Sequence, residues 1–386
     1  MRNFRSSAVS WPRARLARAF ASWVAVLGAV GVAGAAACTS DDPAPAVVPD
    51  GGSPEGSVGA EGGSSSSGGG GLDCNEDLGA GGLQQHLSCT GLYTDIKTKA
   101  VADGARPFKP AIPFWTDGAG KGRWIHLPPG QKIDTSDMDE WKMPVGTKVW
   151  KEFQIDGKRT ETRYYVKTSP TLWKKTTYRW NAGETDAERL DVGEKNVNGS
   201  TFEIPPTDRC DSCHLGQSDR LLGFEAVNLA LPGAEGLTLA KLVAENLLTA
   251  PPARTTITIP EDATGKGAAA LGYLHSNCAS CHSSAPTAPQ NYVGLDVKLS
   301  AKALLSDTPP KLSELPTYTT TVGKPMTVFA GGPPTRITSG DPDQSGVVFL
   351  AARRTSDELG QMPPLGSHTV DTVGLQKVRD WIAASP

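Results

Sequence analysis

The stretch Cys278-Ala279-Ser280-Cys281-His282 is the most informative motif in this chain. Two cysteines separated by two residues can each form a thioether with one vinyl group of a haem, and the adjacent histidine can then ligate the iron. The same five-residue pattern occurs upstream as Cys210-Asp211-Ser212-Cys213-His214. The first motif (210–214) and the second motif (278–282) therefore predict two covalently attached c-type haems, with His214 and His282 as axial iron ligands.

A zinc site is the main alternative use of the two cysteine pairs. Four cysteines can close a tetrahedral zinc site. In compact zinc ribbons the two pairs are only about 15–20 residues apart, whereas more than sixty residues separate Cys213 from Cys278. Each pair is also followed directly by a histidine. The pattern therefore favours haem over zinc.

Length and charge exclude one broad class of function. The chain has 386 residues, which is enough for two ordinary domains and tails, and its formal net charge is -3. Acidic and basic residues are interspersed, and the part expected to fold contains no lysine- and arginine-rich run that could bind nucleic acid. We therefore expect no nucleic-acid partner.

Residues 1–38 have the organisation of a bacterial export signal. Several arginines precede a nearly uncharged run, Ala19–Ala37, and Cys38 follows directly. The arrangement resembles a lipoprotein signal, in which Cys38 is the lipidated first residue of the mature protein. The alternative is an uncleaved transmembrane anchor, because about 20 apolar residues span a bilayer. Both interpretations place the folded part outside the cytoplasm, in the bacterial periplasm or at the cell surface.

Residues 39–71 are rich in glycine, serine and proline and contain hardly any large apolar side chain. Such a segment cannot build a core, and we predict a disordered linker. A flexible chain of this length has a root-mean-square span of roughly 30 Å. The linker is therefore expected to hold a lipid-anchored domain clear of the membrane.

The number of cysteines predicts one disulfide bond. Cys38 takes the lipid, and the two motifs use four more of the seven cysteines. Cys74 and Cys89 are the one remaining pair, and an exported protein lies in an oxidising compartment. We predict a disulfide between them. Closing a loop of about 15 residues contributes on the order of 3 kcal/mol in the chain-entropy model.

Residues 72–205 show the alternating pattern of β-strands. Thr160–Thr168 alternates small or apolar side chains with Glu161, Arg163, Tyr165 and Lys167, as expected of a strand with one packed face and one wet face. Asp156-Gly157 is a favoured hairpin turn that joins this strand to the β-rich run Lys148–Ile155. A third strand follows in Leu172–Trp180. We predict an antiparallel meander within a β-sandwich-like module.

Six of the nine tryptophans fall in this β-rich region, and they allow two interpretations. Exposed aromatic faces can stack on sugar rings, which would make the region a carbohydrate-binding module. Aromatic residues are also common in strands, where they pack sheets and interfaces. The second interpretation is preferred, because nothing in the spacing requires exposure. The six are Trp115, Trp124, Trp141, Trp150, Trp173 and Trp180.

From residue 206 onward the pattern changes to helices and loops. Residues 206–262 form a first haem-attachment segment, and residues 263–386 form a mainly α domain. The predicted fold class is therefore α+β. Helical spacing of apolar residues, with glycine and proline at the ends, predicts four helices in these two segments. They cover Leu237–Leu248, Thr264–Asn277, Asp343–Arg354 and Asp371–Ala384.

The order of motifs in the C-terminal part resembles a small cytochrome c domain. A helix leads into the second motif, and Gly340-Asp341-Pro342, Met362-Pro363-Pro364 and a closing helix with Trp381 follow. The β-rich region adds short sequence motifs such as Pro144-Val145-Gly146-Thr147. With them, the chain resembles exported di-haem c-type cytochromes with an N-terminal β module. The resemblance implies that Met362 is the sixth iron ligand opposite His282. A thioether ligand raises the reduction potential of a haem.

The first motif lacks an obvious sixth ligand. No methionine lies between residues 207 and 262, and the only histidine there is His214 itself. The sixth position is therefore either open or filled from elsewhere. The candidates are His86, His126, His275, His368, Met138, Met143 and Met326.

These observations predict a haem-binding electron-transfer protein with a redox partner that the sequence does not identify. No catalytic residues are assigned, because no Ser/His/Asp site, phosphate loop or carboxylate pair of comparable specificity occurs. The first alternative is a di-haem peroxidase, in which an open haem at His214 reacts with peroxide. The second alternative is a surface binding protein that captures carbohydrate through its β module.

Overall fold

The computed structural model describes residues 72–327, 331–355 and 360–385. They lie within one compact unit, Gly69–Pro386. Strands and helices are both present, which confirms the predicted α+β class. The strands are β1 (Tyr93–Asp95), β2 (Ala100–Val101), β3 (Arg106–Lys109), β4 (Gly120–His126), β5 (Lys148–Ile155), β6 (Lys158–Lys167), β7 (Trp173–Trp180), β8 (Ala187–Arg189) and β9 (Glu235–Gly236).

Seven of these strands form one antiparallel sheet. Their order is β8-β7-β6-β5-β4-β3-β9, and β1 and β2 pair separately. The predicted meander of β5, β6 and β7 is confirmed. Asp156 and Gly157 join β5 to β6 with φ angles of 50° and 78°, and two positive φ angles in succession are the geometry for which an Asp-Gly hairpin turn is favoured.

Both faces of this sheet are covered. One face presents Trp150, Tyr164 and Tyr178 to residues 83–105 of the N-terminal segment. The opposite face packs against the helical part of the chain in the largest hydrophobic core. The prediction of a wet face on β6 is therefore wrong, since Glu161 is fully buried and Lys167 is 2% exposed. The alternation predicts that the two faces differ, but it does not reveal that distant residues cover the charged face.

The tryptophans of the β-rich region pack within the protein. Four of the six are buried, and the other two are half-buried. A buried ring cannot offer its face to a sugar, so the arrangement favours the packing interpretation. The four buried residues are Trp141, Trp150, Trp173 and Trp180.

The helices are α1 (Asp211–His214), α2 (Ala226–Ala230), α3 (Leu239–Ala244), α4 (Gly267–Cys278), α5 (Ala301–Leu304), α6 (Pro316–Thr321), α7 (Gly346–Ala351) and α8 (Thr372–Ala384). The four predicted helices are present as α3, α4, α7 and α8. The first and third are shorter than predicted. Helix α3 ends early because Asn246 adopts a left-handed conformation, with φ 55°.

The closing helix α8 packs against α4, which leads into the second motif. Its predicted apolar stripe is buried, and Trp381 is fully enclosed. The Trp381 indole Nε1 donates a hydrogen bond to Asp262 Oδ2 at 2.7 Å. Gly374 lies directly against the ring of Tyr273, where a Cβ atom would meet the ring at 2.1 Å. The lack of a side chain at Gly374 therefore permits the close packing of the two helices.

The predicted disulfide between Cys74 and Cys89 is confirmed. It fixes the start of the described chain beside the segment that covers one face of the sheet. The predicted export signal (1–38), the lipidation site Cys38 and the linker (39–71) lie outside the described residues. Among the residues that the structure describes, no helix has both the length and the apolar character needed to cross a membrane.

Candidate functional site

The first motif forms a short helical turn whose histidine is oriented by its own backbone. Cys213 and His214 lie in α1, and the His214 N–H donates to the Cys210 carbonyl at 3.1 Å. The chain then turns back, and Arg220, with φ 60°, brings its carbonyl oxygen to 2.5 Å from His214 Nδ1. A proton on Nδ1 satisfies this contact and leaves Nε2 as the nitrogen that can bind a metal.

His214 is half-buried against the sheet. Its ring stacks on Tyr165 of β6, with 4.9 Å between ring centroids and an interplanar angle of 25°. Burial lowers the pKa of His214 to about 3, although the hydrogen bond with Arg220 opposes the shift. The imidazole is therefore neutral at physiological pH, which is the state that ligates iron.

A second interaction ties the first motif to the sheet. Asp219 lies in the turn between Gln217 and Arg220. It receives hydrogen bonds from Lys167 Nζ at 2.6 and 2.7 Å and from Trp173 Nε1 at 3.0 Å. It also accepts the backbone N–H of Met143. The carboxylate and the ammonium group are both buried. The loop that orients His214 is thus anchored to β6 by a buried ion pair and to β7 by a hydrogen bond.

The second motif begins at the last residue of α4, as predicted. The His282 N–H donates to the Cys278 carbonyl at 2.9 Å, and the His282 carbonyl accepts from Val297 at 3.1 Å. Burial and then the nearby Arg336 lower the pKa of His282 to about 4. Its Nδ1 is buried and has no hydrogen-bond partner in the described part of the chain. The two histidines therefore share burial and a neutral ring, but only His214 has a hydrogen bond that selects a tautomer.

The fold brings the two motifs into direct contact. Cys281 Sγ lies 3.4 Å from the carbonyl oxygen of Ser212. Gly216 packs so closely on Ser280 that a Cβ atom would lie 1.7 Å from the Ser280 carbonyl oxygen. The neighbouring Cys281 thiol, as a hydrogen-bond donor, lowers the pKa of Cys213. Two motifs that are far apart in sequence therefore form one site.

The four motif cysteines are free thiols and are all half-buried. They do not converge on a zinc site. Within the described residues, no three His, Cys, Asp or Glu side chains are grouped so that they could hold a metal ion. A haem iron needs only one histidine from each motif, and four free thiols are what two covalent attachments require. The residues present therefore fit two haems better than one zinc ion.

Glu140 links the segments that follow the two motifs. It accepts hydrogen bonds from Ser218 at 2.9 Å (backbone N–H) and 2.6 Å (hydroxyl), and it pairs with Lys298. Burial alone would raise the pKa of Glu140. The hydrogen bonds from Lys298 and Ser218 together have a larger, opposite effect, so the pKa lies below its usual value. The carboxylate is therefore ionised and joins the two halves of the site.

Met362 lies in a loop after α7. Its N–H donates to the Leu350 carbonyl at 2.9 Å, and a cis peptide bond joins it to Pro363. Gln361 holds the loop through hydrogen bonds from its side-chain nitrogen to the carbonyls of Pro363 and Ser367. Ligation of the iron opposite His282 by Met362 stays a prediction.

Five of the seven candidate sixth ligands of the first motif make side-chain hydrogen bonds within the described structure. Each of the four histidines accepts or donates a hydrogen bond at Nδ1, and the Sδ atom of Met138 accepts one from Trp141. Met143 is buried beside the first motif, in the same core as Leu221 and Phe224. The histidine partners are Asp77 for His86, Gly104 for His126, Leu299 for His275 and Asp117 for His368.

Sequence reasoning missed the part of the sheet that faces the first motif. Arg123, Lys151 and Arg163 lie opposite one another on β4, β5 and β6. Together with Tyr165 and His214 they line one cavity. The alternation on β6 had already placed Arg163 and Tyr165 on one face. The pattern that could have revealed this region is a lysine or arginine at the paired position of each of the strands β4, β5 and β6.

Comparison with known proteins adds no assignment. No family model matches the sequence, and no curated protein or solved structure is significantly similar to it.

Proposed function

We propose that this protein is an exported di-haem c-type cytochrome that carries electrons. Cys210 and Cys213 would attach one haem, and His214 would bind its iron. Cys278 and Cys281 would attach the other haem, and His282 and Met362 would bind its iron. The haems, when bound, supply iron that alternates between the ferric and ferrous states.

The contact between the two motifs is the observation that carries this proposal. A chain that only needed two separate cofactors could hold the motifs apart. Here Gly216 packs on Ser280 and Cys281 touches Ser212, so the attachment points of both cofactors share one site. Such closeness supports electron transfer between the two centres through the protein.

The surrounding residues have defined roles in this proposal. Arg220 fixes the tautomer of His214 through its carbonyl, and such hydrogen bonds orient a metal ligand and increase its basicity. Desolvation lowers the pKa values of His214 and His282 and so favours their neutral rings. The seven-stranded sheet covers the first motif, and α8 supports the helix that leads into the second.

The finer assignments of fold and location belong to the same proposal. Residues 263–386 form a cytochrome c-like domain, and residues 72–205 form a β module that docks a redox partner or shields a haem edge. A lipid on Cys38 tethers the protein to a membrane, and the segment 39–71 gives it reach. The electron donor and acceptor are proteins of the same extracytoplasmic compartment.

Counting covalent haems tests the proposal. The protein is expressed with a c-type cytochrome maturation system, and a pyridine haemochrome spectrum and intact mass are measured. Two covalent haems are expected in the wild type, and one in each of the double variants Cys210→Ser/Cys213→Ser and Cys278→Ser/Cys281→Ser. A wild type without covalent haem, or with zinc bound in stoichiometric amount, contradicts the proposal.

The cavity beside His214 supports one second candidate, a di-haem peroxidase. It is lined by His214, Tyr165 and Lys151, and a small ligand that entered it would lie next to the first motif. If the first haem is high-spin, binds cyanide readily and consumes peroxide, the protein is a peroxidase. Low-spin spectra for both haems and no peroxide consumption favour electron transfer alone.

A further inference from the structure

Three cations form a row on the face of the sheet that meets the first motif. Arg123 on β4 lies opposite Lys151 on β5, and Lys151 lies opposite Arg163 on β6. The Cβ atoms of directly opposed residues in an antiparallel pair are about 4.5–5.5 Å apart, and like charges placed in this way destabilise the sheet. We call these three residues the cationic row.

Among the residues that the structure describes, Arg163 is the one member of the cationic row that forms an ion pair with a carboxylate. Glu161 accepts hydrogen bonds from Arg163 Nε at 2.6 Å and Nη2 at 3.2 Å, and a third from the Thr177 hydroxyl at 2.8 Å. The hydrogen bonds of Glu161 therefore go to Arg163 and Thr177, whereas Lys151 feels its charge only at longer range. Lys121, on the strand that carries Arg123, adds a further positive charge nearby.

The other two members of the cationic row form no ion pair with a carboxylate in the described structure. Arg123 is 7% exposed, and its Nε is buried without a hydrogen-bond partner. The ammonium group of Lys151 contacts the ring of Phe153 at 4.9 Å. The Arg123 guanidinium lies over the ring of Phe114 at 6.0 Å. A buried guanidinium without a counter-charge is costly, so the fold retains a charge that an external anion could neutralise.

The pKa shifts of Arg123 and Lys151 are consistent with two cations that lack a nearby counter-charge. Burial lowers the pKa of Arg123 to about 10. Burial, and then repulsion from Arg123 and Arg163, holds the pKa of Lys151 well below its usual range. An anion bound between these groups would reverse both shifts, since a nearby negative charge favours the protonated forms.

We propose that the cationic row is an anion-binding site that takes a carboxylate or a small oxyanion. Planar guanidinium groups flanking an ammonium group match the oxygens of such ligands. Two sources could supply them, namely the propionate groups of a haem attached at the first motif or a soluble anion that enters the cavity. The first source rests on the proposed function, whereas the site itself rests on the sheet alone.

The test uses sulfate as the probe and two lysine variants of the full chain. Lys151→Met removes the central cation, and Lys158→Met removes an exposed lysine from the same sheet as a matched control. Sulfate binding is measured by calorimetry at constant ionic strength, in the wild type and in Cys210→Ser/Cys213→Ser. The midpoint potential of the first haem is measured in the two lysine variants and the wild type.

The two sources give different results. If haem propionates occupy the row, sulfate binds only when the first haem is absent, and Lys151→Met lowers the midpoint potential of that haem while Lys158→Met does not. If a soluble anion occupies it, the wild type binds sulfate, and Lys151→Met weakens that binding about tenfold. Either result supports the site.

The proposal is overturned if sulfate binds neither form and Lys151→Met changes the midpoint potential no more than Lys158→Met. Should the cysteine variant fail to fold, the wild-type titration and the two lysine variants still decide the question. Should the chain carry no covalent haem at all, the proposed function fails, but sulfate titration of the haem-free protein continues to test the cationic row.

Discussion

Replacing Asp219 by asparagine should destabilise the protein strongly and should disturb the first motif before the second. The substitution keeps the shape of the side chain and removes its charge. Asparagine can still accept a hydrogen bond from Trp173, but Lys167 then loses the carboxylate that lies 2.6 and 2.7 Å from its Nζ. The result is a buried ammonium group without a counter-charge.

The burial of both partners sets the magnitude. The side chains of Lys167 and Asp219 are 2% and 7% exposed, so solvent screens the lost interaction very little. Removing one partner of a buried pair costs about 3–5 kcal/mol, because the remaining charge stays desolvated. Adding Lys167→Met to Asp219→Asn removes that charge and should recover about half of the loss.

Urea unfolding, followed by tryptophan fluorescence and far-ultraviolet circular dichroism, measures these free energies. Glu235→Gln is the matched control, because Glu235 pairs with Lys109 at the exposed edge of the same sheet, where both side chains are more than half exposed. The reasoning is refuted if Asp219→Asn is no more damaging than the control, or if the double variant is no more stable than Asp219→Asn alone.

Three further substitutions test other parts of the structure. Cys74→Ser/Cys89→Ser should lower the free energy of unfolding by about 3 kcal/mol under oxidising conditions, and reductant should abolish the difference from the wild type. The pKa of Glu140 lies below its ordinary value of 4.5. The contribution of this carboxylate to the free energy of unfolding is therefore complete above pH 4.5 and is lost as the pH falls through the folded-state pKa. Glu140→Gln should show a flatter dependence of stability on pH in the acid range. Gly216→Ala places a carbon atom 1.7 Å from a carbonyl oxygen of the second motif, and it should lower stability and shift both midpoint potentials, whereas Gly183→Ala, with ordinary contacts only, should not.

Local patterns in the sequence predicted the elements of this fold well. The strand Lys148–Ile155 has the predicted bounds, and the Asp156-Gly157 turn follows it. The apolar stripe of α8 is buried as its spacing indicates. These features depend on the period of side-chain direction within one element and on the φ angles that a residue tolerates. Both are properties of neighbouring residues, so the sequence contains them directly.

The surroundings of the site could not be predicted in the same way. The charged face of β6 is buried because the chain after β8 returns over it, and alternation alone does not say which face is covered. The contact of Gly216 with Ser280 joins two segments that no local pattern relates. Counting cysteines succeeded for Cys74 and Cys89 because elimination needs no knowledge of distance.

In the structure, the first motif is supported by residues that are distant from it in the sequence. The first motif has no long helix of its own, and the seven-stranded sheet supports it instead. Tyr165 of β6 stacks on His214, Lys167 of the same face pairs with Asp219, and Lys175 of β7 pairs with Asp211 of α1. The second motif is instead held by helices, with α8 packed on α4. The β-rich region is therefore one wall of the candidate site, and changes on its inner face should report on the first motif, whereas changes in α8 should report on the second.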